Sequence, residues 1–177
     1  MDQAEITGAA AATTAEKMQS DTEFMVRVSY LYHKKRERFF RILDALSKAL
    51  SILALTALAT SGGALSTALA ILSGSATISA IVLDFVGMAL KHESLAAQFI
   101  RLQSKIISGE ISETEAIRCR AKIEETEPSA LRGLTQICQD EIEASLGATV
   151  EPERLSNLRR LKAHFGYGEM PFTSNHP

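Results

Sequence analysis

ALSILALTALATSGGALSTALAILSGSATISAIVL, residues 49–83, decides the fold, because these 35 consecutive residues include no Asp, Glu, Lys, Arg, His, Asn or Gln. A bilayer core about 30 Å thick needs roughly 20 residues of helix, so the run is long for one span and short for two with a loop. Widened to residues 42–90, the window holds only three charges, Asp44, Lys48 and Asp84, all near its ends. Two spans then fit. Ser61-Gly62-Gly63 lies near the middle, and paired glycines accept the positive φ of a tight helix-to-helix turn. The spans fall at about 42–60 and 64–83, the second running on towards Leu90.

The flanks give an orientation. Lys34, Lys35, Arg36, Arg38, Arg41 and Lys48 precede the first span, and Lys91, Arg101 and Lys105 follow the second, while the turn carries no charge. By the positive-inside rule the chain reads as an inner-membrane protein with both termini cytoplasmic. A run beginning this far from Met1 is not a signal peptide. The rival class is a soluble all-helical adaptor whose Ala/Ser/Thr/Gly-rich hairpin is buried in its own bundle or in a partner. A phage holin is a second alternative, although the long segment from Leu90 to Phe165 exceeds what a simple hole-former needs.

Helices extend past the spans. No Gly or Pro interrupts residues 21–60, which as one helix would be about 60 Å long. The stripe Phe24, Val28, Leu31, Phe39, Ile42, Leu46 and the stripe Leu95, Phe99, Leu102, Ile106 recur at helical spacing and are expected to pack on each other as a cytoplasmic stalk. After Gly109, Ser112-Glu113-Thr114-Glu115 is a capping box opening a helix to about Glu125. Pro128 suits the first turn of the next helix, with apolar face Leu131, Leu134, Ile137, Cys138, Ile142 and Leu146, ended by Gly147. Pro152 opens a last amphipathic piece through Leu155, Leu158, Leu161 and Phe165. The expected organisation is all-α: a disordered segment over 1–20, an antiparallel hairpin over 21–108, cytoplasmic helices over 109–165 and a flexible tail over 166–177.

A chain of 177 residues with net charge −2 lacks the cationic surplus of a nucleic-acid binder, and two Cys make no disulfide framework. His33, His92, His164 and His176 have no metal-ligand spacing, so neither a metal nor a cofactor is expected. Cys119 and Cys138 read as small buried residues. Residues 61–67 look like a glycine loop but lack the Lys of a P-loop, and Glu124, Glu125 and Glu127 read as a solvated face. No active site emerges, and no enzyme is expected.

One stripe carries a physical hypothesis. Ser73, Thr77, Ala80, Asp84, Gly87 and Lys91 recur at intervals of three and four along the second span, and Ser66, Ala70 and Gly74 make a second small row. Small and hydroxyl-bearing faces let membrane helices approach and hydrogen-bond, which suits a homo-oligomer, with the hydroxyl stripe either lining a water-filled centre or packing on the first span.

Tyr30-Leu31-Tyr32-His33 with Arg36, Arg38, Phe39 and Phe40, followed by a two-helix hairpin with a tiny loop, resembles the SLATT family, the SMODS and SLOG-associating two-transmembrane effector domains of bacteria. Residues 120–132, with Ile123-Glu124-Glu125-Thr126-Glu127-Pro128, and then Cys138-Gln139-Asp140-Glu141, are similar to that family's I-E-x-x-E-P run and C-N-E-like triplet, with Asp140 in place of the Asn. The resemblance covers roughly residues 22–147. It implies a membrane-perforating effector of a bacterial conflict or antiviral system, encoded beside a nucleotide-signalling or sensor partner, with membrane lipid as its surroundings and no catalytic residues.

Overall fold

The computed structural model describes residues 3–60, 63–149 and 156–166, with the side chains of 1–20, 57–60, 65, 66, 69, 76 and 79–81 outside the description. Among the described residues the chain is all-α: α1 Gln3–Thr60, α2 Ala64–Val82, α3 Phe85–Ile107, α4 Glu113–Glu124, α5 Arg132–Ser145 and α6 Asn157–Ala163. Among those residues no helix is long and apolar enough to cross a membrane. The chain divides into two compact units, Met1–His33 with Leu95–Pro177, and Lys34–Ser94.

In the first unit α1 is buried on two sides. Val26 packs with Phe99, Leu102 and Ile106 of α3 and Ala116 of α4. Val28 and Tyr32 pack instead with Leu134, Ile137, Cys138 and Ile142 of α5 and Ala163 of α6, flanked by Phe24 and Leu31. The expected pairing of the Phe24, Val28, Leu31 stripe with the Leu95 stripe is therefore corrected. Val26 and Val28 lie about 200° apart around a helix, and each serves a different neighbour. Fully burying side chains of the size of Phe99 or Leu134 contributes about 1.5–3 kcal/mol apiece.

Local signals set most helix ends here. The Ser112 hydroxyl accepts the Glu115 N–H at 3.4 Å and caps α4. Gly147, at φ 92°, takes the left-handed turn that lets the Ala148 N–H reach the Glu143 carbonyl at 3.0 Å, closing α5. Two boundaries differ from expectation. α5 starts at Arg132 rather than near Pro128, because Leu131 is held outside the helix, its N–H donated to the Tyr32 hydroxyl at 3.2 Å. In α6 the expected apolar face is exposed at Leu158, Leu161 and Phe165, and Ala163 is what packs inward; Pro152 and Leu155 lie outside the described residues. A seven-residue helix offers too little length for the longer amphipathic face.

The second unit is built on Phe40, Phe85 and Ala89, with Phe39, Leu43 and Met88 partly buried around them. Phe40 stacks on His92 with ring centroids 5.8 Å apart. Of the stripe expected inside, Ile42 and Leu46 are more than half exposed, at 51% and 54%. Gly63 has φ 129°, the glycine-favoured backbone anticipated at the hairpin turn, whose Ser61 and Gly62 lie outside the described residues.

The second span does not run on to Leu90 as one helix. α2 stops at Val82, Asp84 adopts φ 44°, and α3 begins at Phe85. Asp is among the residues that tolerate the left-handed region, and here its Oδ1 accepts the Gly87 N–H at 3.0 Å, capping the new helix. A Cβ at Gly87 would collide with that carboxylate. The continuous stripe from Ser73 to Lys91 is thus divided, with Ser73, Thr77 and Ala80 on α2, Asp84 at the break, and Gly87 and Lys91 on α3.

Candidate functional site

Within the Lys34–Ser94 unit a groove of about 710 Å³ is lined by Asp44, Ser47, Lys48, Ser51 and Ile52 of α1, Thr77 of α2, and Asp84 and Val86 beyond it. Lys48 donates to Asp44 at 2.6 Å, one turn away on the same helix. Between the helices, the Ser51 and Thr77 hydroxyls meet at 2.6 Å. Ser51 also lies 2.9 Å from the Ser47 carbonyl, and Thr77 2.9 Å from the Ser73 carbonyl. Two hydroxyls hold two protons, so whichever donates across the groove releases its own carbonyl. That gives the hairpin a polar clasp between α1 and α2. Hydroxyls, aliphatic walls and one ion pair can hold water or a polar group; among the described lining residues no nucleophile is paired with a base.

This clasp brings Thr77, and the Ser73 carbonyl behind it, to the α1-facing side of α2. Asp84 lines the same groove while capping α3. On the other row Ala70 is half-buried, and Gly74 is exposed with nothing within 4 Å of an added Cβ. The side chains of Ser66 and Ala80 lie outside the described residues.

The basic flank is held in a particular way. Glu37, 7% exposed, accepts from Lys34 at 2.6 Å and from Arg41 at 2.9 Å, and Arg41 also reaches Glu93 at 2.8 Å. Burial pushes the Glu37 carboxyl up, but the hydrogen bonds and charges of Lys34 and Arg41 outweigh it and hold it below its usual range. The ionised form is therefore favoured on folding, a contribution present above the unfolded pKa and lost as pH falls through the lower folded one. The Arg36 guanidinium lies 4.5 Å from the Phe40 ring centroid. Lys35 is half-buried, and Arg38 and Lys91 are exposed.

A second constellation, in the other unit, is absent from the sequence reading. His33 is completely buried, its Nε2 lies 2.9 Å from Glu127 Oε1, and its ring stacks on Phe99 with centroids 5.5 Å apart. Glu127 is thus not part of a solvated face. A carboxylate at the start of an otherwise exposed loop looks solvated until the residue 94 positions earlier is known to reach it. Cys138 and Asp140 are buried nearby in sequence on α5, and Gln136 donates to Asp140 at 3.1 Å. The segments that carried the resemblance therefore meet at two points, Tyr32 with Leu131 and His33 with Glu127. Among the described residues no group of three His, Cys, Asp or Glu side chains is placed to hold a metal ion.

Comparison with protein-family models, with curated proteins and with solved structures finds no match to this chain.

Proposed function

We propose that the segment from about Ile42 to Leu83 is a two-helix membrane hairpin, and that the protein is a self-associating, membrane-perturbing effector of a bacterial conflict or antiviral system. One observation carries the reading. Along the run without a strongly polar side chain over 49–83, most of the large apolar side chains among the described residues are on the surface, with Ile52 65%, Leu55 68%, Ile71 69% and Val82 74% exposed. A water-soluble monomer rarely leaves so continuous an apolar surface uncovered. The basic residues before α1's uncharged end, and Lys91 after the break, support insertion with both termini cytoplasmic.

In this reading the helical unit around Val26, Phe99 and Leu134 receives the signal from a nucleotide-signalling or sensor partner, and α1 and α3, which run through both units, carry the change to the hairpin. Two packings separated by a few kcal/mol are enough for such a switch. The hydroxyl composition of the hairpin favours a second reading, an all-helical adaptor whose partner covers the same surface.

Gly74 gives a clean test of self-association. Because the space around it is open within one chain, Gly74→Leu fits the monomer and removes a helix-weakening glycine worth up to about 1 kcal/mol. Loss of close approach between copies should then lower both cross-linked oligomers and propidium uptake in cells expressing the chain. Unchanged oligomers would move the assembly interface away from the Ser66, Ala70, Gly74 row.

A further inference from the structure

We propose that the exposed basic face of α1, together with Lys91, docks on anionic phospholipid headgroups, so that the hairpin selects bilayers that carry them. The inference rests on the membrane reading above and adds the lipid class to it.

Lys34, Arg38, Arg41 and Lys48 are all exposed, and their positions follow i, i+4, i+7 and i+14, one face of a helix. The ladder is about 21 Å long, and the next large exposed side chains are the apolar Ile52, Leu53 and Leu55. Residues 34–48 hold six cations and two carboxylates, an excess of four, whereas the whole chain is −2, so the remainder carries −6. The positive charge is gathered where the apolar surface begins. Within the ladder Glu37 pairs with Lys34 and Arg41, Glu93 with Arg41 and Asp44 with Lys48, so Arg38 and, on α3, Lys91 are the exposed cations there that make no ion pair among the described residues. Lys91 of α3 is exposed beside His92, whose ring stacks on Phe40 of α1. Cations that overlap the first exposed apolar side chains, Ile42 and Leu46, and end before Ile52 match a headgroup layer passing into an acyl layer; a nucleic acid offers charge without the second half of that match.

The full chain, diluted from detergent onto preformed vesicles, would be followed by flotation with phosphatidylcholine alone and with roughly one quarter phosphatidylglycerol. Stronger partitioning onto the anionic vesicles, weakening as salt rises, is expected. Arg38 and Lys91 are exposed and make no ion pair among the described residues, so R38Q/K91Q should leave the fold intact. Near an anionic surface each basic side chain is worth about 1 kcal/mol, roughly fivefold, so the double variant should bind about 25-fold more weakly to anionic vesicles and unchanged to neutral ones. Equal binding of the native chain to both vesicle types would overturn the lipid selectivity and leave the membrane reading standing. Binding to neither would overturn both. Salt-sensitive binding to duplex DNA in the absence of vesicle binding would reassign the ladder to nucleic acid and overturn the proposal.

Discussion

Replacing Phe99 by alanine is expected to remove roughly 3–5 kcal/mol of folding stability, lowering the thermal midpoint by about 6–20 °C for a chain of this size. Phe99 has 0% of its surface exposed and packs between Val26, Leu102 and Ile106 while its ring stacks on His33. Truncation removes both the buried hydrocarbon and the stacking partner, and a cavity among helices α1, α3 and α4 can close only by moving whole helices. The neighbouring Ile100, about 100° further round α3 and 43% exposed, is the control, with Ile100→Ala changing stability by less than about 1 kcal/mol. Thermal unfolding of the full chain followed by circular dichroism reads both. A Phe99 variant that melts with the native chain would mean that α3 does not pack on α1 as described.

The second large effect lies at the link between His33 and Glu127. Glu127→Ala is expected to cost about 1–3 kcal/mol, because it removes a hydrogen-bond partner from a side chain with no access to water. His33→Ala should cost more, since it also leaves space beside Phe99 and Tyr32. The double variant should be less destabilised than the two single changes added together, by at least about 0.5 kcal/mol, the mark of two residues in one hydrogen bond. Strict additivity in denaturant unfolding would show that the two do not act together. The same link fastens the loop before α5 to α1, alongside the Leu131 N–H to Tyr32 hydroxyl bond.

What was legible in the sequence was local. The capping Ser112, the terminating Gly147 and the inward positions Leu134, Ile137, Cys138 and Ile142 are readable because each depends on residues within a turn or two. The two-sided burial of α1 was not, since Val26 and Val28 lie on opposite faces and a search for one stripe records only one of them. In the sequence Asp84 shows only as a charge near the end of the second span and a member of the small, hydroxyl-bearing stripe, although an Asp three residues before a glycine can also start a helix. Its left-handed backbone and bond to the Gly87 N–H show the second role. At the groove, the small and hydroxyl-bearing character of α2 was visible, but its partner was not. Ser51 belongs to α1's own i, i+4 ladder and carries no mark of the Thr77 hydroxyl it meets. His33 and Glu127 had no local signal of any kind, being 94 positions apart.

The most direct test of the membrane reading is fractionation of cells producing the full chain, with the membrane fraction washed in alkaline carbonate. That wash strips proteins held by charge or by partner proteins and leaves those whose apolar side chains sit in hydrocarbon. The exposed Ile52, Leu55, Ile71 and Val82, on an uncharged run of 35 residues, predict that the chain stays in the carbonate-washed pellet. Its recovery with the soluble proteins would contradict the hairpin, and with it the effector.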